Sequence, residues 1–503
     1  MVKTNAKGLS PIVEIERSSG TAIHLQVADS LRRGIQDGRI VGGTRLASSR
    51  ILASDWGVSR NTVIQVFATL VAEGILVSRV GDGTYVAMDA RLDPEACADT
   101  DGIGGSPGRY PFRDLSRRGR ILLSEPDYGV PERPRPFMPN VPDLRSFPIR
   151  SWLRLLNEVS GALTGDALAG VSSAGFMPLR KAIAHHVSIT RALPCSADQV
   201  IVTTGSQQGL DLTSRLLADR GDPIWMENPG YLGTQAALAA NGANIQRVPV
   251  DGEGMDIAAG IETALAPRII CVSAARQFPT GAVLSPSRRH ALLEFTSRTG
   301  AWIIEDDYDS ELHYAAPPPI ALGAQDRGSR VVFMGTFSTT LVPSLRLGYL
   351  VVPQDLIPAF TNARSISQGH ASLLEQMVLA EMMNRGTHAA HVRRMRKLYR
   401  ERQEVLVSTI KEHLGYFVPE FERTSGMHVV LPLVREANDV RLAQRLAETG
   451  ILTRPLSPFF SGGEAQQGLL LGFAAFRPEE LTRAGEKLSA LSDYVARSEP
   501  GCS

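Results

Sequence analysis

The sequence predicts two folded blocks: a small N-terminal α+β block of three helices and a hairpin, followed by a large α/β block with a mainly parallel central sheet and a small C-terminal subdomain. Three observations predict this. The chain has 503 residues, beyond the roughly 250–300 at which a single core stops growing. Hydrophobic periodicity disappears from Met88 to about Pro136, where Gly, Pro, Asp and Arg dominate, as in a flexible linker. Beyond that break, short apolar runs alternate with helical patterns, the mark of a βαβ architecture. The expected boundaries are 15–89 for the small block, 90–136 for the linker and 137–495 for the large block.

Composition narrows the function classes. Hydrophobic content of 43% with 21% charged residues describes an ordinary globular protein. The formal net charge is +1, so attraction to a polyanion must come from a local patch. Cys97, Cys195, Cys271 and Cys502 are far apart, which suggests neither a disulfide framework nor a zinc site and fits a reducing cytoplasm. The first 20 residues lack an apolar stretch of the signal-peptide kind, and no run of about 18 apolar residues occurs, which argues against secretion and a membrane span. Only Lys3, Lys7, Lys181, Lys397, Lys411 and Lys487 are lysines; all other basic residues except histidine are arginines.

In the small block, "AIHLQVADSLRRGIQDGRI" from Ala22 to Ile40 spaces Ile23, Val27, Leu31 and Ile35 at four-residue intervals, as an amphipathic helix requires. A short helix follows from about Ser49 to Trp56, a turn at Gly57 and Val58, and a second helix from about Arg60 to Glu73 with Ser59 at its N-cap. Val63, Val66, Phe67, Leu70 and Val71 form the expected apolar stripe. Arg60, Asn61, Thr62 and Gln65 are left near the solvent-facing N-terminal end, by which a recognition helix enters the major groove. "ILVSRVGDGTYVAM" then gives two strands joined around Gly81, Asp82 and Gly83, with Arg79 beside the tip.

In the large block, "QVIVTTG", "PIWMENP", "RIICVSA", "AWIIEDD" and "RVVFMGT" read as strands, with "SQQGLDLTSRLLA", "TQAALAANG" and "SRRHALLEFTSRTG" as helices between them. Ligands of such sheets bind beyond the carboxyl ends of the strands. There, the turn before Ser206 aims the backbone N–H groups of Ser206 and Gln207 at an anion. Tyr231 stands where a ring can stack on a flat ligand. Glu305, Asp306, Asp307 and Asp309 crowd the end of one strand, where a carboxylate can pair with a protonated pyridine nitrogen. No histidine or further carboxylate motif beside them points to a metal.

"LASSRILASDWGVSRNTVIQVFATLVAEGILVSRVGDGTYVA" closely resembles the winged helix of GntR-type bacterial regulators. That resemblance implies DNA contacts by Arg50, Ser59, Arg60, Thr62 and Arg79, with Gly81, Gly83 and Thr84 shaping the wing. "NPGY", "QFPTG", "EDDYDSEL" and "RLGYLV" resemble the fold-type I aminotransferase domain, and the order of the two parts resembles the MocR subgroup of GntR regulators, from about Thr21 to about Arg483. For pyridoxal 5'-phosphate, the resemblance implies that Asp306 pairs with the ring nitrogen, that Tyr308 and Tyr231 line the ring, and that Ser206, Gln207, Ser338 and Arg346 hold the phosphate.

The departure lies in "GTFSTTLVPSLRLGYLV". The family places its Schiff-base lysine directly after the serine, where this chain has Thr339. A hydroxyl cannot form that bond, which needs a primary amine, and no lysine occurs between Lys181 and Lys397. Pro458 stands where the family often has an effector-binding arginine, and Arg276 where relatives frequently carry histidine. Three readings follow: an active aminotransferase, disfavoured by the lost lysine; a regulator holding pyridoxal phosphate non-covalently; and a regulator whose pocket takes another anionic effector or is structural. The expectation is a cytoplasmic DNA-binding transcription regulator with no catalytic residue and no metal. It senses an amine, amino acid or vitamin-related compound, binds double-stranded operator DNA and forms a head-to-tail homodimer away from membranes.

Overall fold

The computed structural model describes residues 3–87 and 133–495, together with 115–116 and 119–120, apart from 6–7, 14, 18, 80–81, 166–169, 263–264, 315–316, 417, 420–423 and 463–464. Most of the expected linker, and Gly81 of the expected wing, lie outside the described residues. The chain divides into two compact units, Met1–Phe112 and Arg113–Ser503. No helix among the described residues is long and apolar enough to cross a membrane.

The first unit begins with an antiparallel pair, β1 (Lys3–Asn5) and β2 (Gly8–Ser10). Three helices follow, α1 (Ile23–Gln36), α2 (Ser49–Trp56) and α3 (Arg60–Ala72), then an antiparallel hairpin of β3 (Leu76–Arg79) and β4 (Gly83–Val86). Val27, Leu31 and Ile35 of α1 pack with Leu52 of α2 and with Val63, Val66 and Leu70 of α3 in one core. Helix α1 ends four residues short of Ile40. Gly38 at φ 71° turns the chain, and the Ile40 N–H bonds back to the Gly34 carbonyl at 2.8 Å, which returns Ile40 to the core. Gly57 at φ 63° makes the turn between α2 and α3. The stripe on α3 is narrower than expected: Val71 lies one position, about 100° around the helix, beyond the buried Leu70, and is 38% exposed.

The second unit is built on an eight-stranded sheet. Its strands are β5 (Val200–Thr203), β6 (Pro223–Asn228), β7 (Asn244–Asp251), β8 (Gly254–Met255), β9 (Ile269–Val272), β10 (Trp302–Asp307), β11 (Val331–Thr336) and β12 (Gly348–Val351). Their order is β5-β12-β11-β10-β9-β6-β7-β8. The neighbours from β11 through β7 are parallel, β12 is antiparallel to both β11 and β5, and β8 is antiparallel to β7. Strand β5 therefore points the same way as β11. Side chains alternate between the faces: Val200 and Val202 join one core with Phe333 and Tyr349, whereas Ile201 joins another with Val332, Met334 and Leu350. Helices cover both faces, as a sheet of mainly parallel strands requires.

A smaller three-stranded antiparallel sheet follows, in the order β13 (His428–Pro432), β15 (Gly468–Gly472), β14 (Arg454–Pro455). It packs on the 28-residue helix Thr387–Leu414 and on the helix Pro478–Leu488 around Leu406, Val429, Leu471 and Leu481. The architecture matches the predicted fold class. Strands β7, β8 and β12 of this large sheet were not among the expected runs: β7 is an irregularly buried segment that contains Pro249, β8 has two residues, and β12 opens on Gly348.

Candidate functional site

The first candidate surface is the exposed end of α3 with the hairpin. The Ser59 hydroxyl caps α3 by accepting from the Thr62 N–H at 3.1 Å, and the two hydroxyl oxygens lie 2.8 Å apart. The Ser59 and Thr62 side chains are thus engaged with each other, and the outward-facing groups are Arg60, Asn61, Gln65 and, from α2, Arg50, all exposed. Arg60 rests on Ser49, its Nε donating to the hydroxyl at 3.4 Å. On the hairpin, Thr84 lies with its hydroxyl 3.3 Å from that of Ser78. Arg79 stacks over Tyr85 at 5.0 Å, a cation–π arrangement that keeps the guanidinium beside the tip. Arg45, which the sequence did not single out, has its guanidinium 3.1 Å from where a Cβ on Gly83 (φ 124°) would sit. Its backbone bridges to Tyr85, which brings a residue from the loop before α2 onto the wing.

The second candidate site lies at the carboxyl ends of β5, β6, β10 and β11, which point to one edge of the large sheet. After β5, Gly205 at φ 89° turns directly into the helix Ser206–Leu217. The first-turn N–H groups of such a helix have no intrahelical acceptors and favour an anion. The Arg346 guanidinium lies 3.7 Å from where a Cβ on Gly205 would be. Arg346 is itself in the left-handed region, φ 52°, and no carboxylate of the described residues pairs with it. A Cβ on Gly348 would stand 3.0 Å from the Gly205 carbonyl carbon and 3.0 Å from the Gly335 oxygen. Only glycine lets these backbones approach and bring Arg346 to the helix end. Ser338 belongs to the same edge, its N–H donating to the Thr336 hydroxyl at 3.2 Å. The Gln207 amide donates to the Gly233 carbonyl at 2.8 Å, so Gln207 offers the cup its backbone.

Tyr231 precedes the helix Leu232–Asn241 and packs edge-on to Phe278 at 5.8 Å, as does Tyr308 at 6.1 Å. Phe459 and Leu470 of the smaller subdomain complete this apolar slot. Burial, reinforced by the Asp306 charge, raises the Tyr231 phenol pKa, while Arg454 and Arg346 oppose the rise. Arg454 stands in register with Leu470 of the slot and brings an arginine to this strand pair, although Pro458 occupies the position expected to carry one. Its signal in the sequence was only an arginine four residues upstream.

The acidic run separates by strand face. Arg191 pairs with Asp307 at 2.8 Å and with Glu305 at 3.8 Å, and Glu305 also accepts from the Leu322 N–H. Asp309 pairs with Arg276 at 3.4 Å. Arg276 also donates to the Ser425 hydroxyl and the His428 carbonyl, so it is a buried structural strut. Asp306 points to the other face, and its Oδ1 has no hydrogen-bond partner. A buried carboxylate oxygen without a partner is costly, and a cationic ring N–H would satisfy it.

Burial and the charges of Asp307 and Asp309 hold the Asp306 carboxyl up at about 7, and burial holds that of Glu227 up at about 8. Both lie above the ordinary carboxylate value of about 4, so the folded chain binds more protons than the unfolded one between about pH 4 and these values. The stability they contribute is full below that window and is lost as pH rises through 7 to 8. Asp306→Asn should therefore reduce the fall in Tm of ligand-free protein between about pH 5.5 and about pH 8. Scanning calorimetry at the two pH values checks this; an equal fall in both proteins contradicts it.

Thr339 closes the site. Its hydroxyl donates to the Tyr308 carbonyl at 2.5 Å and is tied to the backbone that follows β10.

A winged helix joined to an α/β domain with this cup, slot and free aspartate defines a class of bacterial transcription regulator. Residues 23–86 match the family "Bacterial regulatory proteins, gntR family", and residues 140–488 match "Aminotransferase class I and II". The chain is 38% identical, over 93% of each chain, to the probable rhizopine catabolism regulatory protein MocR of Rhizobium meliloti. It is 32% identical to the HTH-type transcriptional regulator TauR of Rhodobacter capsulatus, over 85% of this chain and 87% of that one. The chain belongs to the MocR subgroup of GntR-type regulators and is a DNA-binding transcription regulator. Among solved structures it is similar to LysN, the α-aminoadipate aminotransferase of Thermus thermophilus, with 26% identity and a TM-score of 0.64 over 75% of this chain and 94% of that one. Its relatives therefore include both regulators and an enzyme of the same fold.

Proposed function

We propose that the α/β unit is a sensor that holds a small anionic ligand without a covalent bond and performs no transamination. Thr339 carries this reading. In the fold's enzymes pyridoxal 5'-phosphate supplies an electron-withdrawing pyridine and an aldehyde that a lysine amine captures. Here the cup and the unpartnered Asp306 fit the phosphate and the ring nitrogen, and the capturing amine is missing. Arg346 and the N–H groups of Ser206 and Gln207 would hold the phosphate, Ser338 would add a hydroxyl, Asp306 would pair with the ring nitrogen, and Tyr231, Tyr308 and Phe278 would line the ring. The Thr339 hydroxyl, committed to the Tyr308 carbonyl, has no basic lone pair with which to move a substrate proton near neutral pH.

Arg454 favours a second reading on the same site. Arg454 pairs in register with Leu470 of the slot, and an effector anionic at both ends would engage it together with Arg346. The effector class remains a small amine, amino acid or vitamin-related compound, supported by a relative named for a catabolic regulon. The sensor forms a head-to-tail homodimer in this proposal, and effector binding shifts the pair of winged helices between arrangements that do or do not fit two half-sites of operator DNA. Titration calorimetry of the full chain with pyridoxal 5'-phosphate separates the readings. Saturable binding that dialysis reverses supports the first, and absence of heat leaves the second.

A further inference from the structure

We propose that His186, Glu311 and His388 form a binding site for a divalent transition-metal ion of the zinc class, separate from the anion cup. Three elements of the α/β unit bring these residues together. His186 lies near the end of the helix Met177–Thr190, Glu311 in the short turn Ser310–Leu312 after β10, and His388 at the start of the helix Thr387–Leu414. His186 Nε2 stands 3.2 Å from Glu311 Oε1, and one ligand-capable atom from each of the three residues lies within 4.8 Å of the others. Donors around a four-coordinate zinc, with bonds of about 2.0–2.2 Å, are roughly 3.3–3.6 Å apart. The His186–Glu311 spacing of 3.2 Å is just under that range, and within the 4.8 Å envelope of the three atoms the set must tighten around an ion.

A second observation points to a ligand. His388 is only 1% exposed, yet its Nε2 has no hydrogen-bond partner. An imidazole nitrogen left unsatisfied in a protein interior calls for a partner, and a metal ion is one. The site borders a cavity of about 510 Å³ shared with His185, Asn384 and Arg396, which leaves room for water to complete the coordination. The Arg396 guanidinium donates to the Glu311 backbone carbonyl, which leaves the Glu311 carboxylate to the imidazoles.

Two imidazoles and a carboxylate select borderline divalent ions of the zinc, cobalt and nickel kind over magnesium or calcium. No local motif marks the cluster, because its members are separated by 125 and 77 positions (311 − 186 and 388 − 311).

The test uses tag-free full-length protein, loaded with zinc chloride, dialysed against metal-free buffer and analysed for bound metal. We expect one zinc per chain in the wild type and at least a tenfold loss in Glu311→Gln, which keeps the side-chain shape, and in His388→Ala. Cobalt(II) loading of the wild type needs no variant and should give visible d–d bands without a thiolate charge-transfer band. A wild type that retains no zinc, zinc retained unchanged in both variants, or a cobalt spectrum with thiolate character would each overturn the proposal.

Discussion

Arg60→Ala is expected to weaken binding to a promoter fragment of the protein's own gene by roughly 5- to 150-fold at modest salt, the ~1–3 kcal/mol of one good arginine contact. Arg60 is the first residue of α3 and is exposed, with a long bond to the Ser49 hydroxyl. The fold should survive the change. Helix α3 is fixed by Val63, Val66 and Leu70, and its cap comes from Ser59, none of which the substitution touches. The salt dependence identifies the contact. A phosphate partner lowers the slope of log K against log salt by about one, whereas a base partner leaves the slope and relaxes specificity at one position. Gel retardation across a salt series measures both, and retardation identical to the wild type's would sink the assignment of α3 as the recognition helix.

Arg346→Ala should cost the second unit most of its affinity for pyridoxal 5'-phosphate, roughly 30- to 150-fold, from the ~2–3 kcal/mol of a charge-assisted bond to phosphate. Arg346 is exposed and pairs with no carboxylate of the described residues, so its removal leaves no buried group unpaired. Its left-handed backbone is equally strained with arginine or alanine, and Arg346→Gly, which relieves that strain, serves as the stability control. Calorimetry should show the same loss in both variants. Affinity retained in either places the phosphate elsewhere.

Much of this architecture was legible in the sequence because it rests on local signals. The period of Val27, Leu31 and Ile35, the cap at Ser59 and the apolar runs of β5, β6, β9, β10 and β11 each fix an element where it stands. The limits of local reading appear at Val71 and Ile40, whose surroundings are decided by a turn and by neighbouring helices. In the site, the sequence placed an acidic cluster after β10 but left open which carboxylate is free. That depends on Arg191 and Arg276, which come from distant segments and neutralise Glu305, Asp307 and Asp309. Arg45 on the wing, Arg454 at the slot and the His186, Glu311 and His388 cluster were missed for the same reason: each is positioned by tertiary packing. Thr339 was visible at once, and the geometry adds that its hydroxyl is tied to the Tyr308 carbonyl.

The most direct test of the non-covalent sensor is borohydride reduction of wild-type and Thr339→Lys protein after incubation with pyridoxal 5'-phosphate, read by intact mass. The wild type should emerge unmodified, and Thr339→Lys should carry one reduced adduct mapped to position 339, since the cup, Asp306 and the aromatic slot are already in place. A stoichiometric adduct on the wild-type chain would contradict the account.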